Sequence, residues 1–314
     1  MIKPVIAIGS AVWDTIFNVS EIPGKGIKLL PKSARQIASG MAATAAASMA
    51  RLGLPVQLWS MVGDDVTGRM LLDELSAEGV DTQHAVTVKG ALTPFSSILI
   101  DPSGERLVVP YFDSKLSADT SLLPLEMIAS ASAVLADVRW PDAAHAAFVE
   151  ARKHGVPTVL DADVGAAEIL MRLCPLADHV LFSEPALQSL TRNKEPRTAL
   201  YEIAKQLPTA QVIGVTLGER GSLVWQANAA IAEGGKALFV EAVKIKSIDT
   251  LGAGDVWHAA YCYGLVSKFG LQKTVELANM AAAMKCEQLW GRLGAPRLNE
   301  VQDRLKFAVP RSIG

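Results

Sequence analysis

The sequence predicts an α/β fold in which helices cover both faces of a mostly parallel central sheet, with a small β-sheet lid beside it. Short apolar segments typical of buried strands alternate with longer helical segments along most of the 314 residues. Hydrophobic residues make up 50% of the chain, which is enough for a sizeable core. The alternation breaks at about 15–37 and 92–112, and we expect these stretches to form the lid of a single domain over 1–314.

The first half of the chain contains predicted strands that are each paired with a helix. The strands are predicted at Val5–Gly9, Val56–Val62 and Val134–Ala136, and the helices at Ala42–Leu52, Thr67–Glu78 and Asp142–His154. Gly53 and Gly79 follow the first two helices directly, and glycine at that position favours a helix end. This order predicts βαβ units and hence parallel strands.

The two interruptions have the composition of turns and hairpins. Phe17–Ile37 contains polar residues, Pro and Gly where a crossover helix is expected, and Phe95–Pro110 is typical of two strands around the turn Asp101–Gly104. A β flap of this kind commonly closes over a substrate, and a hairpin without a function is the alternative. Because a flap with an open edge often pairs with another copy, we expect a homodimer through the lid.

The second half continues the alternation and then ends in two long helices. The strands are predicted at Thr158–Asp161, Val180–Phe182, Val212–Thr216, Ser222–Trp225 and Leu238–Val243, and the helices at Gly254–Phe269 and Thr274–Leu289. Since no sequence repeat or low-complexity linker interrupts the chain, one compact unit is the simplest interpretation.

Charge, cysteine content and the length of the apolar segments narrow the function classes. The net charge is −2 and no basic stripe is present, which argues against nucleic acid as a partner. The apolar stretch Ala42–Ala50 is too short to span a bilayer, so no membrane partner is expected. Cys174, Cys262 and Cys286 are far apart and show no metal-ligand spacing, so we interpret them as free thiols of a cytoplasmic protein.

The segment from Asp249 to Asp255 carries the strongest indication of chemistry. It follows a predicted strand at Val240–Ile245 and opens a long apolar helix with a Gly-Ala-Gly turn. The free N–H groups and the dipole at a helix start favour an anion there. Asp255 lies in the first turn beside this anion site, where a carboxylate can accept a hydroxyl proton during phosphoryl transfer. An N-capped helix whose glycines serve only packing is the alternative.

The same string, Asp-Thr-Leu-Gly-Ala-Gly-Asp, resembles the second signature of the ribokinase-like (PfkB) carbohydrate kinases. The resemblance implies a ribokinase-like three-layer α/β/α sandwich and an enzyme that uses ATP to phosphorylate a sugar hydroxyl. It also implies that Asp255 is the catalytic base and that Gly252, Ala253 and Gly254 form an anion hole. Many members hold K⁺ beside this turn, and here Asp249 and the backbone around Thr250 are the expected ligands.

The N-terminal half resembles the sugar-binding side of the same family. Asp14 follows Gly9-Ser10 and matches the aspartate that binds the sugar diol. The stretch from Ser39 to Gly53 and the stretch from Val62 to Gly68 resemble the first signature, which places Gly40 and Thr44 at the substrate. Thr44 stands where the family usually has Asn, so the shorter hydroxyl leaves the identity of the sugar open.

The nucleotide side is expected further along the chain. Thr216-Leu217-Gly218-Glu219-Arg220-Gly221 resembles the loop that contacts ATP, so Thr216, Gly218 and Gly221 are candidate nucleotide-binding residues. Asn279 matches a position that often faces the adenine or ribose. Where the family often carries Asn-x-x-Glu to organise Mg²⁺, this chain has Ser183 and Ala186, so the ATP phosphates and water are expected to hold Mg²⁺, with help from Glu184.

Several segments resemble the sulfofructose kinase branch most closely. They include Leu135–Trp140, Phe182–Pro185 and Lys285-Cys286. A sulfonate requires cationic donors, for which Arg139 and Lys28 are candidates. Pro110 stands where that branch tends to carry Asn, so a fructose-like sugar remains an alternative to 6-deoxy-6-sulfofructose. A nucleoside kinase of the same fold and a non-catalytic sugar sensor are the other hypotheses; the former predicts an aromatic-lined pocket, and the lid is poor in aromatic residues.

Overall fold

The computed structural model describes residues 3–226 and 237–305, and these form a large, mostly parallel sheet with helices on both faces. The strands of this sheet are β1 (Val5–Ile8), β4 (Val56–Trp59), β6 (Val80–Asp81), β10 (Ala133–Ala136), β11 (Thr158–Ala162), β12 (His179–Ser183), β13 (Val212–Thr216), β14 (Gly221–Gln226) and β15 (Leu238–Glu241). Their order is β15-β14-β13-β12-β11-β10-β1-β4-β6. Strands β13, β14 and β15 pair antiparallel, whereas the other pairs are parallel.

The helices alternate with these strands, as the sequence predicts. They are α1 (Met41–Arg51), α2 (Val66–Ala77), α3 (Pro141–His154), α4 (Ala167–Leu173), α5 (Glu184–Thr191), α6 (Pro196–Ala204), α7 (Ala253–Val266), α8 (Leu271–Cys286) and α9 (Leu298–Arg304). One apolar cluster packs α3 to α6 against one face of the sheet, and a second packs α1, α2, α7 and α8 against the other. The predicted α/β fold is therefore confirmed.

A second sheet forms beside this core. It contains β2 (Val12–Asn18), β3 (Ser33–Ser39), β8 (Phe95–Ile100) and β9 (Arg106–Tyr111), in the order β3-β2-β8-β9. We call these four strands the lid sheet. Its inner face carries four buried isoleucines, at positions 16, 37, 98 and 100, which pack against Leu251, Trp290 and Leu293. The lid sheet therefore lies directly against the loop that contains Leu251.

Two predicted strands differ from those observed. The segment Val56–Val62 forms two strands, because the buried Ser60 donates its hydroxyl to the carbonyl of Gly9 and the chain then leaves the main sheet. The second piece, β5 (Met61–Gly63), pairs instead with β7 (Val86–Val88). The strand predicted to extend to Ile245 ends at Glu241, so an irregular segment connects it to the Asp249 loop.

A buried arginine ties the C-terminal third of the chain to the N-terminal half. Arg292 is 1% exposed and donates its Nε–H to the carbonyl of Ala38 in β3. Its guanidinium also pairs with Glu74 and, at 2.6 Å, with Glu78. The contacts hold the end of the lid sheet, helix α2 and the segment after α8 together. Within the described residues, none of the helices is both long and apolar enough to cross a bilayer.

Candidate active site

The Gly-Ala-Gly turn forms the N-terminus of α7. Gly252 is the residue before the helix and has a φ of 76°, a conformation that glycine adopts without steric cost. The N–H of Ala253 donates to the carbonyl of Thr250 at 3.2 Å, and the N–H of Val256 donates to the carbonyl of Gly252 at 3.0 Å. The N–H of Gly254 lies in the first turn, where helical geometry provides no intrahelical acceptor. The turn therefore has the geometry of an anion site.

Gly252 brings two of the predicted residues together. A methyl group at this position would lie 3.4 Å from Cγ2 of Thr44 and 3.7 Å from Oδ2 of Asp255. Thr44 lies on α1 and is 1% exposed, and Asp255 lies in the first turn of α7. The threonine of the first signature and the aspartate of the second thus face the same small space.

The Asp255 carboxyl is half-buried in a strongly negative environment. Burial raises the pKa of Asp255 well above its ordinary value, and the neighbouring charges of Asp161, Asp137, Asp163 and Asp14 raise it further. A raised pKa is typical of a carboxylate that acts as a general base, because its proton affinity approaches that required near neutral pH. Asp161, at the end of β11, provides the largest of these charge effects and was not among the residues predicted from the sequence.

Asp14 and Gly40 form the next part of the site. Asp14 lies on the inner face of β2, is 5% exposed and accepts a hydrogen bond from the hydroxyl of Ser96 on β8. Burial raises the pKa of Asp14, and the hydroxyls of Ser96 and Ser39 oppose that effect. Gly40 has a φ of 103°, and a Cβ there would lie only 2.5 Å from the carbonyl oxygen of Ser10. The glycine therefore allows α1 to begin directly beside the β1–β2 loop.

Asp137 fixes this junction. Its carboxylate accepts the N–H of Ser10 at 2.8 Å, the N–H of Ala42 at 3.1 Å and the N–H of Arg139 at 2.7 Å. Gly9 faces the same carboxylate, because a Cβ there would overlap the Asp137 side chain at 2.2 Å. One buried aspartate thus positions the end of β1, the start of α1 and the residue that the sequence predicts to bind an anionic sugar.

The exposed side chain of Arg139 borders a cavity of about 290 Å³. The lining residues are Gly9, Ser10, Ala11, Ser60, Met61, Pro94, Phe112, Asp113, Leu116, Arg139 and Trp140. The guanidinium is close enough to Asp161 for its charge to lower the pKa of that carboxyl, although burial and Asp163 have the larger, opposite effect. The charge of Arg139 therefore acts on one of the carboxylates that raise the pKa of Asp255.

The predicted nucleotide residues gather at the ends of β12 and β13. Ser183 and Thr216 are direct neighbours in the parallel register of these strands. Gly218 has a φ of 58°, and at Gly221 a Cβ would overlap the carbonyl of Val240 at 2.1 Å. The loop between β13 and β14 therefore depends on both glycines for its shape. This edge, at the carboxyl ends of parallel strands, is where ligands bind in open α/β sheets.

The Glu184 carboxylate forms an ion pair with Arg220. Its two carboxylate oxygens accept hydrogen bonds from Nη2 of Arg220 at 2.6 and 2.5 Å. Arg220 is more than half exposed, so the ion pair contributes little to stability. Glu184 can therefore exchange Arg220 for another cation at a small cost in free energy. The described residues contain no cluster of three or more His, Cys, Asp or Glu side chains that could hold a metal ion.

Asn279 is buried, and its amide is already hydrogen-bonded within the protein. It is 6% exposed, and its Oδ1 accepts hydrogen bonds from the Ser222 hydroxyl at 2.7 Å and from Nε1 of Trp257 at 2.8 Å. Its Nδ2 donates to the carbonyls of Val240 and Glu241 at 3.1 and 3.3 Å. A direct contact with adenine or ribose would have to replace one of these bonds, so that role stays a prediction.

Asp249 and Thr250 are surrounded by groups that the motif does not contain. The buried Asp249 carboxylate accepts N–H groups from Leu251 at 2.7 Å and Gly291 at 2.8 Å. Nζ of Lys285 donates to the backbone carbonyl of Asp249 at 2.5 Å and lies 3.3 Å from its Oδ2. Arg106, on lid strand β9, donates from Nη1 to the hydroxyl of Thr250 at 2.5 Å.

Lys28 is a predicted sugar-binding residue that lies outside the cavity beside Arg139. It is exposed in the segment between β2 and β3. Sequence reasoning missed Asp137, Asp161, Arg106 and the contact of Lys285 with Asp249. Of these, Asp161 gave a usable signal, because it ends a predicted strand and side chains at the carboxyl ends of parallel strands meet at one edge.

Comparisons with known proteins agree with the fold and with the motifs. The model of the pfkB family carbohydrate kinases matches residues 3–296. A crystal structure from Agrobacterium tumefaciens, provisionally assigned as a ribokinase, is 37% identical, with a TM-score of 0.92 and 97% of each chain covered. Arabidopsis thaliana ribokinase in complex with ribose and ATP is 23% identical, with a TM-score of 0.82, and the comparison covers 98% of this chain and 100% of that one. Adenosine kinase from Sinorhizobium meliloti is 22% identical, with a TM-score of 0.79 and coverage of 97% and 100%.

Proposed function

Since this chain belongs to the pfkB family of carbohydrate kinases and is an ATP-dependent sugar kinase, we propose that it phosphorylates a ketose, with Asp255 as the base. The observation that carries the role of Asp255 is its position in the first turn of α7, beside the Gly252–Gly254 turn and across Gly252 from Thr44. The carboxylate takes the proton of the sugar hydroxyl, whose oxygen then attacks the γ-phosphorus of ATP. The bond from that phosphorus to the bridging oxygen breaks at the same time, and ADP leaves. The N–H groups of the turn stabilise the negative charge on the transferred group.

Asp255→Asn tests this role. We expect kcat to fall by roughly 10² to 10⁴, the range associated with a positioned general base, because the amide cannot accept the proton. The thermal midpoint should not fall, since a buried charge is replaced by a neutral group of the same shape. Asp303→Asn, at an exposed position on α9, is the matched control. Retention of the wild-type kcat in Asp255→Asn would remove the base from the mechanism.

Mg²⁺ is proposed to enter with ATP and to be held mainly by the phosphates and water. Glu184 lies at the predicted position, and its partner Arg220 is mostly exposed. Arriving phosphates can therefore attract the guanidinium and release the carboxylate towards the ion or its waters. The site thus fits Mg²⁺ through Glu184 alone, rather than through a preformed set of protein ligands.

The substrate is proposed to carry an anionic group, as 6-deoxy-6-sulfofructose does. The cavity supports this proposal because Arg139 borders it while its backbone is fixed by Asp137. A sugar held by Asp14 with its reacting hydroxyl at Asp255 would extend from the lid towards this cavity. Lys28 adds no support, since it lies outside the cavity lining. A neutral, fructose-like ketose is the alternative within the same class.

A nucleoside is the second candidate substrate, and one observation favours it. Phe112 and Trp140 both line the cavity. Phe95 and Tyr111 lie on the outer face of the lid sheet and add nothing to this lining. Aromatic side chains at the mouth of a cavity can stack on a base as well as on a sugar ring.

A substrate panel separates these candidates. Turnover of ATP would be measured with sulfofructose, fructose, fructose 6-phosphate, ribose, 2-keto-3-deoxygluconate and adenosine, for the wild type and for Arg139→Ala. If the anion pocket exists, Arg139→Ala raises KM for the anionic sugar by about 10- to 100-fold and leaves KM for fructose nearly unchanged. Equal effects on KM for both sugars would contradict the anion pocket. Preference for ribose or adenosine would contradict the proposal of a ketose substrate. Arg69→Ala, an exposed arginine on α2, is the matched control.

The lid sheet is proposed to form a homodimer. Arg106 points to Thr250, so the alternate residues of β9 (Leu107, Val109 and Tyr111) face away from the site. Their cross-strand partners Leu99, Ser97 and Phe95 lie on the same outer face. All three outward residues of β9 are more than 40% exposed. A contiguous apolar face of this kind on a sheet is the usual mark of a protein interface.

A further inference from the structure

Lys285 is a fully buried cation in a helix that is otherwise apolar around it. It is the penultimate residue of α8 and is 0% exposed, and it is the one lysine among the buried residues that the structure describes. Burying an ammonium group without a partner costs several kcal/mol, so the structure must supply oxygens to receive it. The receiving residue is Asp249, through both its backbone carbonyl and its carboxylate.

These oxygens belong to the residue that, by resemblance to the kinase family, would be expected to hold K⁺. An ammonium group and K⁺ carry the same charge, and both bind by contacting several oxygens at once. Nζ of Lys285 is 2.5 Å from the carbonyl oxygen of Asp249 and 3.3 Å from its Oδ2. A K⁺ ion bound to the same two oxygens would be in direct contact with the ammonium group. Like charges at that distance repel strongly in a buried site, so the residues present do not fit K⁺ there.

The position of Lys285 also links it to the anion hole. The backbone carbonyl of Asp249 accepts the ammonium group of Lys285. Its carboxylate accepts the N–H of Leu251, the residue that begins the turn leading to Gly252. The N–H groups of Ile248 and Asp249 both donate to the carbonyl of Cys286, the residue after Lys285, at 2.7 and 3.2 Å. The C-terminal end of α8 therefore holds the start of the 249–255 loop with three hydrogen bonds and one ion pair.

We propose that Lys285 replaces the monovalent cation in this chain, so that its ammonium group positions the Gly252–Gly254 turn and the kinase works without K⁺. The proposal rests on the proposed function, in that the turn is taken to bind the transferred phosphoryl group. Lys285 acts through Asp249 and is thus a positioning residue. Its positive charge is covalently attached to the chain, whereas an ion would have to bind from solution.

Removing the ammonium group should open a binding site for a monovalent cation beside Asp249. Lys285→Ala leaves the Asp249 carboxylate buried without its cation and opens a space beside it, which a hydrated or partly hydrated K⁺ can enter. Activity of the wild type and of Lys285→Ala would be measured in KCl, NaCl and tetramethylammonium chloride at constant ionic strength. We expect a flat response from the wild type. We expect Lys285→Ala to lose about 10- to 100-fold in kcat in tetramethylammonium and to recover saturably with K⁺.

A second readout needs no substrate and therefore tests Lys285 even if the proposed sugar is wrong. The thermal midpoint of Lys285→Ala should rise with K⁺ but not with tetramethylammonium, because an ion that binds only the folded chain stabilises it. The midpoint of the wild type should be the same in both salts. Lys89→Ala, at an exposed lysine, controls for the general effect of removing a positive charge.

Three results would overturn the proposal. The first is saturable activation of the wild type by K⁺, which decides the matter even if Lys285→Ala does not fold. The second is full activity of Lys285→Ala without any small cation. The third is a folded Lys285→Ala protein whose activity and midpoint no monovalent cation restores, because Lys285 would then serve only the packing of α8. Lys285→Met, which fills the space without charge, should lose activity and show no response to K⁺.

Discussion

Four carboxylates besides Asp255 contribute negative charge to the site, and three of them lie outside the residues predicted from the sequence. Asp161 has the largest effect on Asp255 after burial itself. Burial and the charges of Asp163 and Asp137 also raise the pKa of Asp161 well above its ordinary value. The two groups therefore resist being ionised together, so the first proton lost from the pair leaves at a lower pH than the second.

This coupling predicts a shift in the pH dependence of the kinase. Asp255 must be ionised to act as a base, so kcat/KM falls as the pH drops through its raised pKa. Asp161→Asn removes the largest neighbouring charge and lowers that pKa, so the acidic limb of the kcat/KM profile should move to lower pH. Asp303→Asn should leave the limb in place. An acidic limb at the wild-type pH in Asp161→Asn would contradict the coupling.

Among individual residues, those that lie within continuous motifs could be predicted from the sequence. Asp255, Gly252 and Thr44 meet at one point in the structure, as the resemblance implies. Arg106 could not be predicted in this way, because it lies 144 positions away from Thr250 and only the packing of the lid brings the two together. The contact between Lys285 and Asp249 likewise depends on how α8 docks against the loop.

Helices α7 and α8 and strands β14 and β15 are joined by the amide of Asn279. Its four hydrogen bonds reach Ser222 on β14, Trp257 on α7 and two carbonyls of β15. A buried amide that is fully satisfied fixes the register of the elements it joins, because every shift would leave a polar group without a partner. The loop between β13 and β14, which is predicted to contact ATP, is therefore positioned by α8.

Asn279→Ala tests whether this residue holds the elements together or binds the nucleotide directly. We expect the free energy of unfolding to fall by roughly 1–3 kcal/mol, because the truncation leaves the Trp257 indole N–H and the Ser222 hydroxyl without their acceptor. KM for ATP, measured far below the thermal midpoint, should stay close to wild type. Gln272→Ala, on the exposed face of α8, is the control. A large rise in KM for ATP at unchanged stability would instead support a direct contact.

The bounds of the first elements were predictable because the strands are short and apolar and because a glycine follows each of the helices α1, α2 and α3 within two residues. The exceptions have physical causes in the tertiary structure. Ser60 ends β4 with a hydrogen bond to the carbonyl of Gly9, a contact that no local pattern contains. The lid was predicted from its interrupted pattern, but its sheet order required the parallel pairing of β2 with β8, which joins segments far apart in the chain.

At the scale of the whole molecule, the outer face of the lid sheet predicts the assembly state. Val109 is 58% exposed at the centre of the outward row of β9. Val109→Glu places a charge where a partner would have to remove it from water, so the dimer should dissociate into monomers. Sedimentation velocity over a range of concentrations measures this.

Leu122→Glu, at another exposed apolar residue, is the control for that experiment because it lies outside the lid sheet. It should leave the mass unchanged. A wild type that stays monomeric at high concentration, or a Val109→Glu protein that remains dimeric, would contradict an interface at the lid.

The buried Arg292 has a consequence for how the protein is made. Its partners Ala38, Glu74 and Glu78 leave the ribosome more than two hundred residues before it does. Until the arginine arrives, Glu74 lacks its cation and Glu78 has only Arg51 as a partner. A nascent chain released before this point would carry the sugar-side aspartate but no finished lid junction. Synthesis of residues 285–292 therefore supplies both the cation for the lid junction and the contacts of Lys285 and Gly291 with Asp249.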